Sequence, residues 1–367
     1  MSLSLSQIQA FPKAELHRHI DGSIPIHAIR RRLLEKDMNE VRLRTGRTIS
    51  VTDEQSFSGE YRIDNKQNID DLLAVFDLVL SLMQDPQGIE AMTYEAILEL
   101  ARENILYAEL TCAPAYHTRD GLKYDEVFDS FLKGIQRGQK DTGVVTKLIA
   151  GIQREAHAGE KAEDKRDPYG VELTKTAIKY NTQHPEIAAL GLVCDEFSHA
   201  PEIYKKTFAM TFGTSLGRVP HAGEMGSLTA RTKNVWTALR ELRPKRIGHG
   251  IPVGASDDLI KECKRLDVGG ECNPWSNVLD GFIGSAQELR IDRLHQEKVC
   301  FSINSDDPAL FRKSLSENIA LECSMYNWGE EELVVMTSNA LRSAFLNAKK
   351  YAKMCKEFSR KAGIKIG

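Results

Sequence analysis

The stretch Lys13-Ala14-Glu15-Leu16-His17-Arg18-His19-Ile20-Asp21-Gly22-Ser23 decides how the rest of the chain is read. Ala14 to Ile20 reads as a β-strand, and side chains two apart on a strand lie on one face. His17 and His19 therefore point the same way, and two imidazoles on one face are a usable pair of metal ligands. Taken alone they also fit two half-buried core histidines. Further ligands, an acid and a base elsewhere in the chain decide between the two.

After this strand, Ser23 is placed to cap a helix with Pro25 in its first turn, and Ile26, Ile29, Leu33 and Leu34 form a helical stripe. The segment from about residue 36 to 67 is rich in Arg, Thr, Ser, Glu and Asp and has too few large apolar residues for much core. Directly after a strand–helix start, it reads as a lid-like insertion over the mouth of a site. Amphipathic helices follow over 68–83 and 88–104. Strands are then predicted at 106–112, 145–152, 187–195, 218–224, 246–250, 268–273 and 299–305. Helices alternate with them at 124–138, 171–182, 200–216, 233–242, 256–266 and 286–296, and two more lie within 331–362. With the first strand this makes eight, each followed by helical sequence. That is the pattern of an α/β protein folded as a (β/α)8 TIM barrel, here with a polar lid insertion after strand 1 and extra C-terminal helices. The length of 367 residues fits one such domain spanning 1–367.

A hydrophobic content of 41% and a formal charge of −3 leave no excess of positive charge for nucleic acid or an anionic membrane. The seven cysteines are odd in number and contain no Cys-x-x-Cys pair, which argues against a disulfide framework and a thiolate zinc site. The start of the chain lacks a basic segment followed by an apolar run, and no stretch has the roughly 18 apolar residues that span a bilayer. A cytoplasmic location is expected; the oligomeric state is not readable.

In such barrels the active site is built at the C-terminal ends of the strands. Strand one ends in His17, His19 and Asp21, strand five in His221-Ala222-Gly223-Glu224, strand six in Gly248-His249-Gly250 and strand eight in Asn304-Ser305-Asp306-Asp307-Pro308. Asp307 before Pro308 has the form of a helix cap with proline at the first position, whereas Asp306 at the end of an apolar strand needs a partner to offset its desolvation. His17, His19, His221 and Asp306 make a set of three nitrogens and one carboxylate suited to a zinc-type ion with a position left for water. Glu224, partly buried, is placed as a proton donor, and His249 as the base. His-Ala-Gly-Glu also occurs at His157 to Glu160, but that copy opens a run of charged residues and reads as solvated loop.

These pieces, in this order and spread over nearly the whole chain, resemble the adenosine deaminase family of the amidohydrolase superfamily. The matching motifs are Glu15-Leu16-His17-Arg18-His19-Ile20-Asp21-Gly22, His221-Ala222-Gly223-Glu224, Arg246-Ile247-Gly248-His249-Gly250 and Ser305-Asp306-Asp307-Pro308. The resemblance implies one Zn2+ per chain and a zinc-activated water that attacks C6 of a purine. It implies that Glu224 protonates N1, that His249 orients and deprotonates the water, that Asp306 binds metal and that Asp307 hydrogen-bonds N7. It places Asp21 where nucleoside deaminases contact the ribose and related adenine deaminases carry Glu. Two positions depart from the family pattern: Cys194-Asp195-Glu196 replaces the usual Gly-Asp-Glu, so Cys194 should narrow the sugar side of the pocket. Thr111 stands where an arginine is usual, while an arginine appears on strand three as Arg154. The reading is a zinc-dependent deaminase of a small-molecule purine nucleoside, adenosine or deoxyadenosine first. The alternative is a modified 6-aminopurine compound: adenine, an N6-substituted AMP or aminodeoxyfutalosine. A metal-dependent amide or ester hydrolase and a binding protein without turnover are further rivals, the last opposed by the retention of Glu224, His249 and Asp307.

Overall fold

The computed structural model describes residues 3–60, 69–154 and 170–366. Eight parallel strands form one sheet in sequence order: β1 (Lys13–His19), β2 (Ile105–Cys112), β3 (Val145–Gln153), β4 (Ile187–Val193), β5 (Gly217–Ala222), β6 (Arg246–His249), β7 (Gly269–Cys272) and β8 (Phe301–Ile303). The strand interiors are apolar and buried on both faces, as expected where helices cover a parallel sheet. The (β/α)8 architecture expected from the alternation is therefore present, with C-terminal helices Leu315–Tyr326, Glu330–Ser343 and Ala348–Ala362 packed outside.

Between β8 and β1 the sheet is near-closed by a single bridge, Arg18 with Asp306, in which His19 N–H donates to the Asp306 carbonyl at 2.9 Å and Asp306 N–H to the His17 carbonyl at 3.2 Å. Side chains stand in for the missing ladder: Leu16 N–H donates to Asn304 Oδ1 (3.0 Å) and Ser305 N–H to Glu15 Oε1 (2.8 Å). Between Glu15 and Arg18 the β1–β2 register slips, a bulge of the kind that bends a strand and re-aims its side chains. Arg18 turns to Glu15 (3.1 Å) and Glu103 (3.2 Å), while the two flanking histidines converge inside the barrel. The seam of the barrel and the metal-type cluster thus share residues.

Several local expectations change. Most strands end one or two residues earlier than the sequence suggests, so His221 apart, the polar residues of β5, β6 and β8 sit at or just past the last ladder position. Ser23 does not cap the first helix, whose N-cap is Pro25; its hydroxyl bonds the His19 carbonyl and accepts from Arg18 Nε (3.0 Å). The helix expected over 200–216 is a 3-10 turn, Pro201–Tyr204, and a short helix, Lys205–Ala209, after which the chain is turn. The insertion contributes more core than its composition suggested. Glu40–Arg42 and Thr48–Ser50 pair as an antiparallel hairpin, and alternation turns Val41, Leu43, Ile49 and Val51 to one side, where with Phe57 they are buried in the main core. The end of the insertion at 61–67, the start of the helix at 68 and the copy of His-Ala-Gly-Glu at 157–160 lie outside the described residues.

Candidate active site

The ends of β1, β5, β6 and β8 bring His17, His19, His221, His249 and Asp306 together. Two groups of donor atoms, each within 4.8 Å, share His17: one is His17, His221 and His249, the other His17, His19 and Asp306. Asp306 Oδ1 lies 3.2 Å from His17 Nε2 and 3.3 Å from His19 Nε2. The expected ligands therefore converge, and His249 joins them. Gly248 is required by this crowding, since a Cβ there would lie 2.8 Å from His17 Cε1 and 2.9 Å from His221 Cδ2.

The cluster fits a metal on its own chemistry. His17 Nε2 is buried and, with Asp306 Oδ1 at 3.2 Å, makes no hydrogen bond among the described residues, while its Nδ1 lies 2.8 Å from Glu271 Oε2. Glu271 is held in turn by Arg246 Nε at 2.5 Å. A ring fixed by a carboxylate on one nitrogen with the other left bare is the usual arrangement of a metal-ligating histidine. The charges agree. Burial would push the His17 imidazole down, but Asp306 and Glu271 outweigh it and raise it to about 10. The pull that holds a proton on His17 also favours a cation among these ligands. His221 is pushed well down by burial and by His17 and His249, so it offers a neutral imidazole.

Around this centre the remaining groups stand in unusual protonation states. Burial, then Asp306 and Glu196, push the Glu224 carboxyl well above its ordinary range and keep it protonated. Burial pushes His249 down to about 3 against the pull of Asp306. Its Nε2 faces Glu224 Oε1 at 3.4 Å. Asp307 is likewise raised well above its ordinary value, by burial and then by Asp306 and Asp280. Its capping role is positional only, as its side chain makes no cap hydrogen bond and Oδ1 is buried without a partner among the described residues. It packs so closely on the 3-10 turn Asp21–Ser23 after β1 that a Cβ on Gly22 would meet Asp307 Oδ1.

Asp21 is buried at the end of β1, and Cys194 is half-buried just past β4. Cys194 has φ +71°, the left-handed region that favours glycine. That backbone angle supplies a physical reason for a glycine at this place. His249 (φ +62°) and Asp306 (φ +63°) share the conformation.

The contacts of Glu196 and Arg154, named above without a role, and the residues Glu271, Ser276 and Asn277 were not foreseen from the sequence. Glu196 accepts three consecutive backbone N–H groups, from Gly223 (2.7 Å), Glu224 (2.7 Å) and Met225 (3.0 Å), and so fixes the turn that carries Glu224. Arg154 donates to the His221 carbonyl at 2.6 Å. Ser276 Oγ donates to Asp306 Oδ2 (2.6 Å), and the Asn277 amide lies 3.0 Å from His249 Nδ1. The signal available was Glu271-Cys272-Asn273-Pro274-Trp275-Ser276-Asn277, an unusual run of polar residues at a strand end.

A (β/α)8 barrel with a buried group of imidazoles and a carboxylate at its C-terminal rim, beside a protonated glutamate, defines a metal-dependent hydrolase. The chain belongs to the adenosine deaminase family, whose profile, described as adenosine deaminase, matches residues 12–361, and it is a metal-dependent deaminase of that family. It is 26% identical over 356 residues to an aminodeoxyfutalosine deaminase of Streptomyces avermitilis, covering 96% of this chain and 91% of that protein. It is 28% identical over 350 residues to an adenine deaminase of Wolinella succinogenes (94% and 95% covered). With an adenosine deaminase of Enterococcus faecalis it shares 27% over 344 residues (93% and 94%). Among solved structures, the fold is similar to an adenine deaminase from Arthrobacter aurescens (TM-score 0.77, 23% identity, 95% and 98% covered). A zinc-bound amidohydrolase from Burkholderia ambifaria is similar at TM-score 0.78 and 19% identity, with 99% and 95% covered. Among the described residues, no helix is long and apolar enough to cross a membrane.

Proposed function

We propose that the chain is a zinc-dependent hydrolytic deaminase of a 6-aminopurine nucleoside, with adenosine or deoxyadenosine as substrate and the 6-oxo purine and ammonia as products. His17, His19, His221 and Asp306 would hold one Zn2+; the similar zinc-bound amidohydrolase supports that choice. A divalent ion there supplies a nucleophilic water at neutral pH.

One observation carries the reading: two buried carboxyls stand beside the cluster, Glu224 with Oε1 3.4 Å from His249 Nε2 and Asp307 with Oδ1 lacking a hydrogen bond among the described residues, and burial with the neighbouring carboxylates pushes both upward. A 6-aminopurine presents two ring nitrogens, N1 and N7, that accept hydrogen bonds, and two neutral carboxylic acids are the matching donors. Glu224 donates its proton to N1, which makes C6 electrophilic, and Asp307 donates to N7 and holds the ring. His249 orients the water and takes its proton. Asp21 accepts a hydroxyl of the sugar, which disfavours free adenine. The described part of the insertion, 36–60, is tied to the loop after β8 by Arg312, which donates to the Ser58 carbonyl at 3.1 Å, a contact suited to a lid.

A second reading, deamination of a modified 6-aminopurine, is favoured by Cys194, whose Sγ lies 3.4 Å from Tyr116 Oη and reshapes the sugar side. An ammonia-release screen over 6-aminopurines with one equivalent of zinc separates the two. Release from adenosine and deoxyadenosine, with little from adenine, is the expected result. An unchanged adenosine ultraviolet spectrum, with ammonia released from an N6-substituted AMP or from aminodeoxyfutalosine, replaces the substrate and keeps the chemistry.

A further inference from the structure

We propose that His117 is the positioning residue of the sugar subsite: its imidazole holds the Asp21 carboxylate toward a substrate hydroxyl and so sets the preference for a 6-aminopurine that carries a sugar. The inference rests on the nucleoside reading of Asp21 given above.

His117 sits in the 3-10 turn Pro114–Thr118 that follows β2, fully buried, with its ring edge-on to Phe131 at 5.2 Å. Its Nδ1 lies 3.1 Å from the Met83 carbonyl oxygen. A carbonyl only accepts, so Nδ1 carries a hydrogen and donates it. On the other side of the ring, Nε2 lies 3.6 Å from Asp21 Oδ1. Both of these atoms are buried, and neither has a hydrogen-bond partner among the described residues. Two polar atoms that face each other in the interior with no other partner are costly to leave so. As an imidazolium the ring carries a second N–H at Nε2, directed at the carboxylate 3.6 Å away, and completes a chain from the Met83 carbonyl through the ring to Asp21. Met83 and Phe131 fix the ring, so Asp21 is the member that is oriented. With Oδ1 engaged by His117, the second carboxylate oxygen is left for a donor from the ligand.

The neighbouring residue of the turn supports this placement. Tyr116 Oη lies 3.4 Å from Cys194 Sγ, so two adjacent side chains of one turn touch the residues at the ends of β1 and β4 that border the sugar side. Neither contact involves a residue of the metal cluster. The turn therefore acts on substrate preference separately from the chemistry.

Two amide variants separate the two ring nitrogens of His117. In His117→Asn the amide nitrogen replaces Nδ1 and keeps the bond to Met83; in His117→Gln it reaches the place of Nε2 and keeps a donor toward Asp21. The measurement is kcat and KM of the zinc-loaded protein on adenosine and on 9-methyladenine, which keeps the base and lacks the sugar. The wild-type protein is expected to prefer adenosine. His117→Asn is expected to raise KM for adenosine about tenfold or more while its kcat, and turnover of 9-methyladenine, stay within about twofold, the signature of lost binding without lost chemistry. His117→Gln is expected to restore the adenosine KM to within about threefold of wild type. If His117→Asn lowered kcat on both substrates alike, or if His117→Gln behaved no better than His117→Asn, His117 would be a structural residue and the inference overturned, with the nucleoside reading intact. If the wild-type protein handled 9-methyladenine as well as adenosine, the reading of Asp21 itself would fail first, and the role of His117 with it.

Discussion

The metal-type cluster and the side of the pocket proposed to take a sugar are built differently. On the metal side nearly every reacting group is held by another polar group: His17 by Glu271, Glu271 by Arg246, Asp306 by Ser276, the Glu224 turn by Glu196, and His249 by Asn277. On the other side Asp21 is backed by His117, with Nε2 and Oδ1 3.6 Å apart and neither hydrogen-bonded among the described residues, as His17 Nε2 and Asp307 Oδ1 are also left. Cys194 there occupies a backbone region that suits glycine, with Tyr116 beside its sulfur. The first arrangement fixes geometry for one reaction. The second leaves room for the ligand to supply the missing contacts, which is where specificity within a family is expected to vary. The relatives, named for three different substrates at 26–28% identity, are consistent with that division.

The comparison breaks most visibly if a metal-side residue can be changed cheaply. Glu224→Gln keeps the size of the side chain and removes the proton that would go to N1, so kcat on the true substrate is expected to fall about 100-fold or more. Metal content measured by elemental analysis should stay at wild-type stoichiometry. Normal turnover in this variant would remove Glu224 as the acid. Next in size is Glu271→Gln, which touches His17 from behind. Losing a carboxylate that orients a ligating histidine typically costs about 10- to 100-fold in metal affinity or activity, and competition with a zinc chelator reads it directly. Affinity equal to wild type would mean that the Arg246–Glu271–His17 chain serves the fold and not the metal.

The same division decided how much could be read from the chain itself. The barrel was legible because eight apolar strand segments alternate with amphipathic ones, and burial on both faces leaves a strong pattern. The cluster could be assembled from the sequence because His17, His19, His221 and Asp306 are polar residues at strand ends where apolar ones are usual. Glu196 and Asn277 were not, since a glutamate or an asparagine after a strand is ordinary loop composition, and only the folded chain shows whose N–H or ring nitrogen it meets. His117 escaped for a related reason: its partners, Asp21 and Met83, lie 96 and 34 residues away. The hairpin in the insertion was underestimated because four apolar residues in and just after its two short strands are few in composition yet all buried in the main core.

The smallest effect expected, and the one that bears most directly on the side proposed to take a sugar, is that of Cys194→Gly. A non-glycine residue at φ +71° carries a local backbone cost on the order of 1–2 kcal/mol. Glycine removes that cost but loses about 0.4–1 kcal/mol through the greater freedom of the unfolded chain. The expected net is a gain of up to about 1 kcal/mol, readable as a shift of the urea midpoint with unchanged slope. A loss of stability would mean that the sulfur's contact with Tyr116 outweighs the backbone cost, and that the cysteine is a packed wall, not a tolerated substitution. Kinetics then show what the wall is for. If Cys194 narrows the sugar side, Cys194→Gly should lower KM for substrates with a larger sugar-side substituent while leaving kcat and metal content unchanged. A change in kcat of the size seen for Glu224→Gln would instead show that the two halves of the site are coupled through Glu196, which sits two residues after Cys194 and holds the Glu224 turn.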